Sequence, residues 1–513
     1  MTFAKTYAEN QPDEIAIRDD RYALKWLEVN DILNRCVNGL QSLDLGPAIR
    51  VAVFGENSVE TALANLGGLV AGASVVPVNF HLTAEEVAYI LTDSGARVLF
   101  VSPETADRGL KAAGLSDVHT VVGWRCAGVE GVIDWKKWLA ASDAKEVDHS
   151  VKPRPNLLYT SGTTGRPKGT ELPPSMFAGG DTIEEHLIRF REGVLLLMPN
   201  GIGPQLVVGP MYHTGPLSST RQLIAGVPSV ILSRFDAEKT LAAIEKYKIQ
   251  SMLMVPTHFV RLLALPDDVR AKYDVSSITS VNHTGSKCPV DVKRAMIEWF
   301  GPVFNDAYGA SEVGTTCLIT SEEWLKYPGS VGRCLPPFTA MILDDDDNPV
   351  APNTEGRLYF KDDTGRGVVY HNNPEKSAEA HIAPGIFTLG EIALMNEEGY
   401  VFITDRFSDM VVSGGVNIYP AEAEQVLIDH ESVLDVACIS IPHAEMGEEL
   451  RALIILKDEH EAPTTKAMIG WCRERLSHYK CPRSLEYVTD LGRNTMGKIN
   501  KRKLKAPYWN KQG

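Results

Sequence analysis

Two periodicities divide this chain. Short apolar runs, Arg50–Gly55 (RVAVFG), Ser74–Asn79 (SVVPVN), Arg97–Ser102 (RVLFVS), Pro228–Ser233 (PSVILS) and Gln250–Pro256 (QSMLMVP), have the length of buried strands. Between them lie segments of helical period: a small-residue stretch from Ser58 to Ala73, then Thr83 to Gly95, then Asp236 to Lys248. Thr83 followed three residues later by Glu86 is a capping-box pattern, so a helix is expected to start there. Strands and helices alternating at these lengths predict an α/β fold whose parallel sheets are covered by helices. Past Gly399-Tyr400 the texture changes. ITDRFSDMVVSGGVNIYPAEAEQVL passes from a polar segment through a Gly-Gly turn into a helix, and LDVACISIP reads as another strand. A boundary near Asp405 to Asp409 divides the chain into a large domain, 1–407, and a small α+β domain, 408–513.

The length, 513 residues, agrees with more than one core. Apolar content of 44% beside 23% charged residues is that of a globular protein. A formal net charge of −15 argues against nucleic acid and anionic membrane surfaces as main partners, and it requires clustered cations wherever an anionic substrate binds. Thr61–Phe80 is the most membrane-like stretch. Asn65, Pro77 and Asn79 interrupt it, and a helix-to-strand connection accounts for it better than a transmembrane span. The eight cysteines are scattered without a C-x-x-C pair, so neither a zinc framework nor a disulfide scaffold is indicated. The first residues lack the apolar core of a secretory signal, which makes a cytoplasmic location the expectation. Asp344–Asp347 followed by Asn-Pro reads as a solvated turn, because it lacks the ligand spacing of calcium loops.

The candidate chemistry begins at Tyr159–Glu171, YTSGTTGRPKGTE, directly after an apolar pair. Gly162, Gly165 and Gly169 let backbone N–H groups approach an anion closely. Thr160, Ser161, Thr163 and Thr164 add hydroxyl donors, and Lys168 adds a point charge. The spacing differs from the P-loop of NTPases, and a flexible surface loop is the plain alternative. Next comes Asp306-Ala307-Tyr308-Gly309-Ala310-Ser311-Glu312, where an aromatic beside Gly suits purine stacking and Glu312 suits Mg²⁺ among phosphate oxygens; alone, it reads equally as an ordinary turn. Glu391 in Thr388-Leu389-Gly390-Glu391 offers a carboxylate for ribose hydroxyls, and Arg406 offers a guanidinium for ribose or phosphate. Lys498 follows a Gly within a basic cluster (NTMGKINKRKLK) that by itself reads as a solvated patch or a nuclear-localisation signal.

These segments, with Ser413-Gly414-Gly415-Val416-Asn417-Ile418-Tyr419-Pro420, occur in one order along the chain. Together they resemble the adenylate-forming superfamily of acyl-CoA synthetases, nonribosomal adenylation domains and luciferases, on its acyl-CoA synthetase branch. The resemblance covers nearly the whole chain and implies that the loop holds the β- and γ-phosphates of ATP while a carboxylate attacks the α-phosphate. It implies Mg²⁺ near Glu312, ATP contacts from Thr160–Gly165, Lys168, Gly285, Asp306, Tyr308, Gly309, Ser311, Glu391 and Arg406, and an adenylation role for Lys498. It also implies that the small domain turns about a hinge at Ser408. Lys498 then leaves, and Ser413, Gly414 and Gly415 line a path for the thiol of CoA. The chain departs from the family in three places. Leu389-Gly390-Glu391 stands for Thr-Gly-Asp, Ser408 for an Asp or Lys hinge, and Ser311 for a frequent Thr.

Met211-Tyr212-His213-Thr214-Gly215 matches the segment that borders the acyl pocket in this family. Tyr212, His213, Gly285, Gly309 and Ala310 are then its walls, although His213 reads equally as a structural histidine. Neither this segment nor Val281–Ser286 offers an Arg or Lys for a second charge on the acyl group, nor is there an evident Asp for an amino acid's ammonium. The expected substrate is an apolar monocarboxylate: fatty, aryl or sterol-derived. Only fifteen residues follow Lys498, so free CoA is the expected acceptor. An acyl-AMP ligase serving a separate carrier protein and a decayed nucleotide-binding protein are the alternatives, and a homodimer is left open.

Overall fold

The structure, a computed structural model, describes residues 3–160, 167–196, 198, 202–406, 409–457, 462–492 and 499–509, with the side chains of Asp405 and Arg406 excluded. A large N-terminal domain carries a separate small C-terminal one. The expected elements form almost where the pattern places them. Ser58 caps the helix Val59–Val70, its hydroxyl accepting from the Thr61 N–H. Thr83 and Glu86 close a reciprocal capping box on Ala84–Ser94, and Gly95 ends that helix in the left-handed region. Asp236 caps Ala237–Tyr247, and Lys248 terminates it.

Among the described residues, one sheet is wholly parallel, in the order Ser74–Pro77, Arg50–Phe54, Val98–Val101, Thr120–Gly123, Ile133–Asp134. Its first four strands are buried on both faces, with Phe54 and Phe100 inaccessible to solvent, and Ile133–Asp134 forms a more exposed edge. A second sheet runs in parallel from Phe304–Ala310 through Ser280–His283, Ser251–Met254, Gln205–Val207 and Ser229–Ile231 to Ile15–Arg18. Antiparallel strands close both of its ends. Chain order reverses between Gln205–Val207 and Ser251–Met254, because the connection from Ser229–Ile231 crosses to the far side of Gln205–Val207. At such a switch point the loops leaving the carboxyl ends of the two strands diverge and open a crevice.

A third sheet, antiparallel, occupies 338–406. The sequence pattern does not announce these strands, two of which, His381–Ala383 and Ile386–Phe387, are only three and two residues long. The C-terminal domain has its own mixed sheet, built on Val433–His443 paired antiparallel with Gly447–Leu456, which Ser484–Tyr487 joins in parallel, and its own core around Val411, Leu427, Cys438 and Met468. Asp344–Asp347 is a turn, the Asp344 carboxylate accepting the N–H groups of Asp346 and Asn348. Thr61–Phe80 is the expected helix-to-strand connection, and among the described residues no helix is long and apolar enough to cross a membrane.

Candidate active site

The carboxyl ends of the parallel strands open into a cavity of about 1720 Å³ shared by both domains. Leu157–Thr160 pairs antiparallel with Lys168–Glu171, Thr160 opposite Lys168, so these two strands flank the hydroxyl-rich segment. Ser161, Gly162, Thr163, Thr164 and Gly165 lie outside the described residues, as do Ser408, Lys498 and the side chain of Arg406.

Glu312 stands just past the strand Phe304–Ala310. At Gly309 a Cβ would fall 2.0 Å from the carbonyl oxygen of Gly314, so only glycine lets the returning strand pack this closely. The carboxylate is 8% exposed and accepts from the Thr160 hydroxyl at 3.3 Å and the Tyr370 hydroxyl at 3.4 Å. Arg366 fixes its main chain by donating to the Glu312 carbonyl at 3.0 Å. Burial raises the pKa of Glu312, opposed by its own backbone, the two hydroxyls and Lys168. A carboxylate this dry, its two hydroxyl partners neutral and at 3.3 and 3.4 Å, is one that a cation would stabilise. The Lys168 ammonium lies 4.9 Å from the ring centroid of Tyr370; burial and Lys376 lower its pKa, against the pull of Glu312. Among the described residues no cluster of three His, Cys, Asp or Glu side chains could cage a metal. One carboxylate with a hydroxyl beside it nevertheless fits Mg²⁺, which takes few protein ligands and completes its shell with substrate phosphates and water.

Across the cavity Asp306 is held from behind. Its strand pairs with Ser280–His283, placing His283 opposite Asp306. The Lys293 ammonium, inaccessible to solvent, reaches one Asp306 oxygen at 3.1 Å, and His283 Nδ1 lies 3.6 Å from the other. Burial holds His283 down to about 4, against Asp306, so the imidazole is neutral. Gly285, at φ +90°, carries the chain on from this strand into the cavity wall. Glu391, 4% exposed, also lines the cavity and is the cross-strand partner of Arg406. The turn before it is fixed by Thr388, whose hydroxyl accepts from the Gly390 N–H at 3.0 Å.

Tyr212 and His213 follow Gln205–Val207, on one side of the switch point. The Tyr212 ring meets Phe80 edge-on at 5.2 Å between centroids. His213 is half-buried against the cavity, and burial of its ring, with a smaller push from His81, brings its pKa down to about 4. Its Nε2 has no hydrogen-bond partner among the described residues. The Thr214 and Ser311 hydroxyls are 3.1 Å apart, tying the helix behind His213 to the segment that carries Ala310 and Glu312.

The C-terminal domain enters the same cavity through Ser413-Gly414-Gly415. Gly414 and Gly415 have φ of +60° and +82°, the geometry of a tight hairpin between Val411–Ser413 and Val416–Ile418. The turn packs against the large domain. A Cβ built on Gly285 would lie 3.6 Å from Gly415 Cα, and one on Gly415 would lie 3.0 Å from the Val255 side chain. Around this contact Arg261 pairs with Glu445 at 2.6 Å, and Lys480 of the small domain pairs with Glu86 of the large one at 2.7 Å.

Thr160, Lys168, Tyr212, His213, Gly285, Asp306, Tyr308, Gly309, Ala310, Ser311, Glu312, Glu391, Gly414 and Gly415 thus converge on one cavity, with Ser413 buried at the base of the glycine turn. Tyr370, Lys293, Glu86 and Lys480 were missed by sequence reading. Lys293 shares the buried face of its helix with Met296, Ile297 and Phe300, where a lysine read by residue type alone is assigned to solvent, and Tyr370 belongs to no spaced motif.

The AMP-binding enzyme family model matches residues 4–368, and the model of the AMP-binding enzyme C-terminal domain matches 422–498. A long-chain-fatty-acid–CoA ligase of Mycobacterium tuberculosis is 29% identical over 94% of this chain and 93% of its own length. A fatty acid–[acyl-carrier-protein] ligase of Streptomyces coeruleorubidus is 29% identical over 98% of this chain and 95% of its own. The fold is shared with o-succinylbenzoate CoA synthetase of Bacillus subtilis, 24% identical, with 98% of each chain covered. A double mutant of that protein bound with its product analogue overlays at a TM-score of 0.79, and its complex with the acyl-adenylate intermediate at 0.62.

Proposed function

We infer that this chain, which belongs to the AMP-binding enzyme family, is an ATP-dependent acid–CoA ligase that forms an acyl-AMP and transfers the acyl group to CoA. The observation that carries this reading is the convergence, in one cavity, of the Thr160–Glu312 pair beside the hydroxyl-rich segment with the Gly414-Gly415 turn of the second domain. Each suits one half-reaction.

In the first, Lys168 and the loop from Thr160 to Gly165 would hold the β- and γ-phosphates. Asp306 and Tyr308 would bind adenine, Gly285 and Ser311 would line the nucleotide, and Glu391 with Arg406 would take the ribose. Glu312 would hold Mg²⁺, which when bound neutralises phosphate charge. An oxygen of the acid attacks the α-phosphorus in line and the bond to pyrophosphate breaks. Positioning and charge compensation supply most of the acceleration. Lys498 would stabilise charge on the α-phosphate at this stage. In the second half-reaction the small domain turns about Ser408, which places the domain boundary at 407/408. The CoA thiol, giving up its proton, then attacks the acyl carbonyl past Ser413, Gly414 and Gly415, and AMP leaves.

The acid would lie against Tyr212, His213 and Ala310. His213 is neutral there, and two of the arginines lining the cavity are engaged elsewhere, Arg234 with Glu56 at 2.7 Å and Arg261 with Glu445 at 2.6 Å. That environment favours an apolar monocarboxylate. A cytoplasmic location follows as part of this reading. The test is mass-spectrometric detection of AMP and acyl-CoA across fatty, aryl and sterol acids with ATP, Mg²⁺ and CoA. Thioester from one acid class is expected. Adenylate accumulating without thioester would move the acceptor to a carrier protein, and no product with ATP bound would favour a nucleotide-binding role. Lys498→Ala should abolish acyl-AMP formation while sparing thioester formation from preformed acyl-AMP; equal loss of both would refute that role.

A further inference from the structure

A buried ion cluster lies where the two domains meet. Lys480, from the short helical turn His478–Lys480 of the small domain, is 1% exposed. Its ammonium donates to Glu422 of the same domain at 2.6 Å and to Glu86 of the large domain at 2.7 Å. Ser477 adds a hydroxyl donated to the second Glu86 oxygen at 2.6 Å. That same oxygen accepts the Thr83 N–H at 2.8 Å, so the carboxylate is held rigidly by its capping box and is already aimed when the small domain arrives. Burial opposes charge on Lys480, yet Glu422 and Glu86 together outweigh it and raise its pKa; at Glu86 burial is likewise outweighed by Lys480 and the Ser477 and Thr83 hydrogen bonds, whereas at Glu422 burial prevails and raises the pKa.

The cluster belongs to the arrangement in which the Gly414-Gly415 turn faces Gly285. Tyr479, adjacent to Lys480, stands 6.2 Å from the His81 ring on the wall of the shared cavity. Rotation of the small domain would keep Lys480 with Glu422, both on that domain, and would break only the bonds to Glu86. We propose that Glu86 and Lys480 are positioning residues for thioester formation: their contact latches the small domain in the arrangement that presents the glycine turn to the acyl group. The proposal rests on the ligase reading above. A partner lost from a buried charge cluster leaves the remaining charge uncompensated, so the latch should bias the domain equilibrium strongly.

Glu86→Gln tests this, because Gln can still accept the Thr83 N–H and preserve the helix start. Pyrophosphate release from acid and ATP without CoA should stay within about 2-fold of wild type, while thioester formation from preformed acyl-AMP should fall about 10-fold or more. Lys480→Met should show the same split. Loss of both half-reactions together, or no loss in either, overturns the proposal. A readout independent of activity separates it from the ligase assignment. Arg261→Cys with Glu445→Cys replaces an exposed ion pair across the same interface, and a short bismaleimide, which spans the length the two side chains occupied, should cross-link it in the docked arrangement. Adding Glu86→Gln should lower the cross-linking yield several-fold. An unchanged yield overturns the latch even if wild type makes thioester; a lowered yield supports it even if the acceptor proves not to be CoA.

Discussion

Lys293 gives the sharpest test of how the nucleotide side of the cavity is supported. Its ammonium is inaccessible to solvent, lies 3.1 Å from an Asp306 oxygen and stands 4.9 Å from the ring centroid of Trp324. Lys293→Met keeps the length of the side chain and its contact with the indole but removes the charge. Asp306 then keeps only a neutral His283 beside it. Breaking a buried pair from one side costs about 3–5 kcal/mol. The Asp306 side chain is 13% exposed along the cavity, which lets water reach one oxygen and puts the expected loss near the lower end, about 3 kcal/mol. Asp306→Asn should cost a similar amount by stranding the ammonium. The double variant, with neither charge, should cost clearly less than the sum, with a coupling of about 1.5 kcal/mol or more. Thermal midpoints at one scan rate give the cycle, about 2 °C per kcal/mol being expected for a domain this large. Binding of ATP to each variant reports whether Asp306 still meets the nucleotide. Costs additive to within about 0.5 kcal/mol would show that the pair contributes no specific stabilisation and would refute the reasoning.

Glu312→Gln should stop acyl-AMP formation yet raise the thermal midpoint by the equivalent of about 1 kcal/mol, since it removes a carboxylate that burial disfavours; a lowered midpoint would mean the charge is compensated in the free protein. Gly309→Ala should cost about 3 kcal/mol or more and abolish activity, because the new methyl meets a backbone oxygen that cannot swing aside; a normal midpoint in differential scanning calorimetry would contradict this. His213 is held down to about 4 from an ordinary 6.5. The unfolded chain therefore takes up that proton first, so stability is complete above about pH 6.5 and is lost as pH falls toward 4, by about 3 kcal/mol at most. His213→Gln should flatten the fall of the urea midpoint over that window by about one proton's worth, and an unchanged slope would mean the imidazole is already protonated when folded.

The helices and parallel strands were legible because their signals are local. Thr83 and Gly95, or Asp236 and Lys248, mark both ends of a helix within about a dozen residues, and each segment's own period says which face is buried. The antiparallel sheet of 338–406 was not legible. His381–Ala383 and Ile386–Phe387 are too short to show a period, and the pairing of Ile386–Phe387 with Gly356–Asp362 spans a connection that no pattern announces.

The same division runs through the site. Thr160, Glu312, Glu391 and Ser413-Gly414-Gly415 sit in compact segments whose composition states their chemistry, and the fold brings them together at the carboxyl ends of the strands. What holds them is written elsewhere in the chain. Tyr370 reaches Glu312 across 58 positions, and Lys480 reaches Glu86 across 394. A lone tyrosine or lysine has no neighbour in sequence that betrays such a partner. Glu86 makes the point most fully. From sequence it is a capping residue and nothing more, and its capping bond forms as expected. That bond occupies one carboxylate oxygen, and the Ser477 hydroxyl shares it; the other oxygen is left to meet an ammonium delivered by a different domain. The local role fixes the geometry on which the long-range one depends, which is why a residue fully explained by its own helix can still govern how two domains meet.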